Sequence, residues 1–513
     1  MRIVSRRSTV AAAALGTAAV AVPTSARAAT AGTAYVAGSF PATPVLSAGE
    51  RHLLNRFSYG VTPALRDEVL RVGARAWFEQ QLSPVADGSD AAVDWWPDLH
   101  RPANELWQRA DDDIRGGWEV MNDYGRRTLL RRITTPWQVR EVMTEFWEHH
   151  FHVPTNGDPQ FTHRASYGDA IRARALGSFE ELLQATITHP AMTIFLSGYD
   201  STKTHPNENL GRELLELHTV GVGNHSEDDV KNAARILTGY DIAMWTTFAA
   251  SYRTRDHWTG PVQVLGFAHP NADVDGRPVV AALLSYLARH PLTARRVARK
   301  LVTKFVADEP PATLVERLAE VYLANDTRIV PVLRALVDSP EFAAAADTKL
   351  RTPSEDLVAT WRLLGATIAP PVDRSSAANA IIWQAGDLGD EPMAWPRPDG
   401  APLVSSAWGS PSRMLASMDV HWSMAGGWWP SQEATYRKPA EWAPVLPIAF
   451  RDLVDHLARL LHGRPSTPSV LEGACLSTGY LPDRVVKATD SIFTWKMPHL
   501  LVALLDHPTW YRR

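Results

Sequence analysis

The chain has 513 residues, 45% of them hydrophobic and 21% charged, with a formal charge of −4. That length buries a large core and leaves room for more than one lobe, while a near-balanced charge without a basic stripe excludes nucleic acid as an expected partner. The single cysteine, Cys475, excludes an intramolecular disulfide and any Cys-x-x-Cys metal site, and it reads as a core residue.

In chain order, Arg2, Arg6 and Arg7 precede an uncharged run from Val10 to Val22, too short and too rich in Ala to span a membrane. Ala26-Arg27-Ala28 fits a small-residue cleavage site, and Ser5-Arg6-Arg7-Ser8 has the look of a twin-arginine signal, with a general secretory signal as the alternative. The expectation is a signal peptide over 1–28 and a mature protein that is extracellular or in the cell envelope, with no transmembrane segment. Residues 29–46, rich in Ala, Gly, Thr and Pro, read as a flexible lead.

An N-terminal helical lobe is expected over 47–240. Ser47 reads as an N-cap, and Thr62-Pro63 as a cap followed by Pro at the first helical position. Two helices are expected in 111–152, broken near Pro136, and two more near Ala165–Leu176 and Phe179–Thr188. The lobe closes with NENLGRELLELHTVGVGNHSEDDVKNAARILTGY, residues 207–240. There Asn207 reads as a cap, Leu210, Leu214, Leu215 and Leu217 keep helical spacing, Gly221 and Gly223 stop the helix, and Ser226 caps the next one.

Periodicity lapses over 241–278, an irregular segment with room for one short β-hairpin. A second helical lobe is expected over 279–365. Residues 366–513 read as Trp-rich loops with short helices, closed by helices at Phe450–Leu461 and Lys487–Leu505. Three segments, Leu182–Met192, Val332–Phe342 and Leu500–Trp510, share one shape: an apolar helix, a polar pair, then Pro, read here as a stop. The fold class is therefore all-α, multi-helix, in two helical lobes with a loop-rich Trp/Pro/Gly insertion.

NRFSYGVTP, RVGARAWFEQQLSP, EFWEHHF, NENLGRELLELHTVGVG with DVKNAARILTGY, HPLTARRVARKLVTKFVADEPP and LRALVDSPEF together resemble a bacterial family known as domain of unknown function 1800. The likeness runs in order from about residue 48 to the C-terminus. It implies export, often by twin-arginine signals, and no established activity. The chain departs from the family pattern before Val264-Leu265-Gly266, where Asp256-His257 stands in place of a His-Asp pair and no Lys follows.

Candidate chemistry lies in two helices. In TEFWEHHFHV, Glu145, His149 and His152 share one face with Glu148 beside them, at a spacing that suits a divalent metal ion. This is neither His-Glu-x-x-His nor a paired Glu-x-x-His set. The resemblance points instead to His150, directly before Phe151, on the opposite face; the alternative for it is a core histidine bonded to a backbone carbonyl.

In the 207–240 stretch, Glu213 and Glu216 lie three residues apart among leucines, beside Arg212. Burial raises a carboxyl's pKa and Arg lowers it, so such a pair can divide into a general acid and a general base. The catalytic candidates are accordingly Glu213 and Glu216, the substrate-binding candidates Arg212 and Asn207, and the metal-ligand candidates His150, His218 and Glu208. The cofactor candidate is a divalent metal ion.

Nineteen tryptophans suit an extracellular glycan or cell-wall polymer as partner, or core packing. Ser-x-x-Lys, Gly-x-Ser-x-Gly and a strand-linked Gly-x-Gly-x-x-Gly are absent from the sequence. The expected function is a hydrolase of an extracellular or cell-wall polymer acting through paired carboxylates, metal-assisted or not. The competing class is a non-catalytic cell-surface binding or assembly protein in which the Arg/Glu/His network is structural.

Overall fold

A computed structural model describes residues 35–513, so the signal peptide expected over 1–28 and the start of the lead lie outside the described residues. Helices dominate, as the periodicity requires. Among the described residues 23 α-helices are joined by short turns and four two-stranded antiparallel sheets. None of these helices is long and apolar enough to cross a membrane.

Local chemistry explains where helices begin. Ser47 and Ser226 form capping boxes with Glu50 and Asp229, and the side chains of Thr62 and Asn207 accept from the backbone N–H three residues on. The recurring polar-residue–Pro motif works as a start as well as a stop. His189, Ser339 and His507 cap the helices that begin at Pro190, Pro340 and Pro508, where Pro occupies the first helical position.

One contiguous apolar core runs from Leu46 to Tyr511, and elements from both expected lobes contribute to it. Phe57 of the helix Ala48–Phe57 stacks on Phe305 of the helix Pro291–Phe305, with ring centroids 4.4 Å apart. Buried ion pairs cross the same interior. Glu145 accepts from the Tyr59 hydroxyl at 3.0 Å and from Arg132 at 2.9 Å, while Lys304 and Arg513 both lie 2.8 Å from Glu355.

Four expectations change. The irregular segment 241–278 holds two hairpins, Tyr240–Ile242 with Ala250–Tyr252 and Val262–Val264 with Phe267–His269. The Trp-rich region contains three further helices of 11 to 15 residues, Ala377–Asp387, Pro411–Ala425 and Pro468–Thr478, the second capped by Ser410 and the third by Thr467. The expected helix Lys487–Leu505 begins only at Met497; before it, Val485–Val486 pairs with Ile448–Ala449 and Asp490 accepts from the Lys487 backbone N–H. The lead is anchored where it is described: the Phe40 backbone N–H donates to Asp455, Thr43 bonds His456, and Leu46 is buried.

Candidate functional site

The stretch 207–240 is two helices crossing at a glycine. A Cβ at Gly211 would come within 2.6 Å of the Val230 carbonyl, so only glycine lets the helix Glu208–Glu213 lie against Glu227–Ile236. The chain then leaves α geometry, and Leu214–His218 forms a π-helical turn. The Thr219 hydroxyl closes it by donating to the Leu214 carbonyl at 2.7 Å, and Gly221, at φ +92°, returns its N–H to Leu215. Isolated π turns concentrate at functional sites, and this one carries Glu216 and His218.

The turn gives the two candidate carboxylates unequal surroundings. Glu216 lies 3.5 Å from Arg212 and 3.2 Å from His225 Nε2. Glu213 is half-buried, with no cation at ion-pair distance and no side-chain hydrogen bond among the described residues. Burial and the nearby Glu216 push its carboxyl above the ordinary range, and Arg212 opposes this.

The other candidates divide. Arg212 forks Glu227 through two bonds of 3.0 and 2.7 Å. Asn207 caps its helix and donates its amide to the carbonyls of Leu196 and Ser197, each at 2.9 Å. These bonds hold both residues in the scaffold of the site. Glu208 is exposed in the first helical turn, apart from His150 and His218. Among the described residues no group of three or more His, Cys, Asp or Glu is arranged to hold a metal ion, so the expected trio is not brought together.

His150 and His218 do meet, their ring centroids 6.2 Å apart, and each bonds the other's backbone carbonyl at 3.1 Å. Because a ring nitrogen must donate to a carbonyl, His150 carries its proton on Nε2, which leaves Nδ1 as the acceptor for Lys300 Nζ at 3.1 Å. Burial, reinforced for His150 by Lys300, keeps both rings uncharged, with His218 down to about 3.

The expected face Glu145, His149, His152 is also committed. Glu145 belongs to the buried ion network, His149 Nδ1 accepts from the Ala401 N–H, and His152 bonds the Trp395 carbonyl. Glu148, buried, accepts from Arg164 at 3.0 Å and from Tyr124. His257 is buried between the Thr238 carbonyl and Asn271.

Four residues around the turn escaped the sequence reading: His225, Arg296, Lys300 and Asp399. Arg296 and Lys300 lie one turn apart on the helix Pro291–Phe305, and Arg296 donates to the Leu217 carbonyl at 3.1 Å. Asp399 sits on a loop held down by bonds from Thr155, Asn156, His152 and Ala401, and its charge reaches Glu213, Arg296 and Lys300. The Arg296/Lys300 spacing was readable; the loop's approach depends on long-range packing and had no local signal.

The tryptophans range from fully buried to exposed. Trp77, Trp147, Trp361 and Trp510 are fully buried, whereas Trp428 and Trp495 are 52% and 58% exposed. The latter two flank a cleft of about 240 Å³, lined also by Trp442, Tyr436 and Arg437. Cys475 is buried and its thiol is pushed up to about 11, which makes it unreactive.

No curated protein and no solved structure matches the chain. Among protein families, the one described as Protein of unknown function (DUF1800) matches residues 52–511. That match covers the π turn, both histidines and both carboxylates, and the chain belongs to the DUF1800 family.

Proposed function

We propose that the protein is an exported hydrolase of an extracellular or cell-wall polymer, with Glu213 as general acid and Glu216 as the carboxylate that acts with it. The observation that carries this reading is the unequal setting of the two groups. Glu213 is half-buried without a cationic partner and its proton is held more tightly than usual, while Glu216 faces Arg212 and His225. Two carboxyls set apart by their surroundings can protonate a leaving oxygen and assist attack at the sugar carbon, the division of labour in glycoside hydrolysis. Export rests on the twin-arginine-type pattern of residues 1–28.

The test is hydrolysis of purified cell-wall glycans by the mature chain. Glu213→Gln and Glu216→Gln are each expected to lower turnover by about 10²-fold or more, the scale of one general acid or base, with unchanged thermal stability. Wild-type protein that releases no soluble sugar from any polymer in the panel overturns the reading.

A second reading, a non-catalytic surface-binding protein, is favoured by the exposed Trp428 and Trp495 beside their cleft. Aromatic faces of this kind suit sugar rings. In that case Trp428→Ala with Trp495→Ala abolishes retention on insoluble glycan, and Glu213→Gln leaves it intact.

A further inference from the structure

The helix Pro291–Phe305 carries three cations spaced one turn apart, Arg296, Lys300 and Lys304. Lys304 is buried and seated on carboxylates, 2.8 Å from Glu355 and 3.7 Å from Glu145. The other buried lysine, Lys349, pairs with Asp308. Arg296 and Lys300 are half-buried, yet among the described residues neither has a carboxylate within 4 Å. Their hydrogen bonds go to neutral acceptors, Arg296 to the Leu217 carbonyl and Lys300 to His150 Nδ1. The Arg296 Nε is buried without a partner.

Two like charges one turn apart, partly stripped of water, destabilise one another unless an anion stands between them. Asp399, whose charge reaches both, lies beyond ion-pair distance and only partly offsets them. The histidines cannot supply the missing negative charge, because both rings are neutral and bonded to each other's backbone. A planar guanidinium fork beside a point ammonium is a donor set matched to phosphate or carboxylate oxygens.

We propose that Arg296 and Lys300, against the turn Leu217–Gly221, form a binding site for an oxyanion: a phosphate or carboxylate group of a ligand. The site stands whether or not Glu213 and Glu216 are catalytic.

Calorimetric titration of the mature chain with inorganic phosphate, and in parallel with acetate at matched ionic strength, tests the proposal. Saturable one-to-one binding of at least one anion is expected. A preference for phosphate assigns a phosphate-bearing ligand, and a preference for acetate a carboxylate-bearing one. Arg296→Gln and Lys300→Met should each weaken binding roughly tenfold or more, the effect of one charge-assisted hydrogen bond. Arg299→Gln, which removes an exposed charge from the same helix, should change nothing.

If those variants fail to fold, acylation of lysines in the wild-type protein reads the same site. Phosphate is expected to slow modification of Lys300 while exposed Lys231 reacts at an unchanged rate. The proposal is overturned by absence of saturable binding, by equal loss in Arg299→Gln, or by equal protection of Lys300 and Lys231.

Discussion

Replacing Glu355 by Gln, beside a matching Glu213→Gln variant, separates carboxylates that hold the fold from those available for chemistry. Glu355 is buried and lies 2.8 Å from both Lys304 and Arg513, and it also accepts the Thr352 N–H in a capping box. Burial alone would raise its carboxyl, but Arg513 and Lys304 outweigh it and hold the group at about 2, against an ordinary value of 4.5. At 1.36 kcal/mol per unit, that difference contributes about 3 kcal/mol of folding stability at neutral pH, matching the ~3–5 kcal/mol typical of a broken buried pair. Because the folded value is the lower one, this stability is present above pH 4.5 and is lost as pH falls through 2. Denaturant unfolding should therefore show Glu355→Gln less stable by about 3 kcal/mol at pH 7, with the gap narrowing below pH 4.5. Glu213 has the opposite sign, since the fold resists its ionisation, and a neutral isostere should change stability at pH 7 by no more than about 0.5 kcal/mol. A loss in Glu213→Gln as large as that in Glu355→Gln would make Glu213 a structural residue and refute the division drawn here.

Two further perturbations test other parts of the structure. His421 is buried between Asp506 at 2.7 Å and Asp356 at 3.3 Å, and these carboxylates outweigh burial and hold the imidazolium at about 9. Its contribution, about 3 kcal/mol by the same conversion from 6.5, is complete below pH 6.5 and lost as pH rises through 9. The stability gap between wild type and His421→Gln should shrink over that window, and a gap independent of pH would contradict the ion pair. Gly400 adopts φ +76° and its missing Cβ would press on the His149 carbonyl, so Gly400→Ala should lift the loop that carries Asp399. Hydrogen exchange should then quicken at Ala401, whose N–H bonds His149, and exchange that stays unchanged would show that the loop does not need this contact.

Much of the helical framework was legible because its signals are local. Ser47, Thr62, Asn207 and Ser226 cap helices where polar side chains precede an apolar period, and Gly221 takes the positive φ that ends the π turn. The π turn itself was not legible. Its i→i+5 register uses the same leucines that mark an α-helix, and the glycine contact at Gly211 that accompanies it lies on the neighbouring helix. Charge partners were hidden for a similar reason. Lys300 and Lys304 sit four residues apart with the same local pattern, and only the long-range arrival of Glu355 and Glu145 distinguishes a paired cation from an unpaired one. The helix expected from Lys487 failed because Asp490 bonds the Lys487 N–H and turns the chain first. Recognition of the family came from long ordered motifs, and these carry architecture without naming a reaction.

Release of soluble sugar from purified cell-wall glycan, by the wild-type protein and by Glu213→Gln and Glu216→Gln, separates catalysis from binding. Wild type should turn over, and both variants should lose turnover at unchanged melting temperature. Glycan that is bound but never cleaved, with both variants behaving as wild type, would contradict the hydrolase reading.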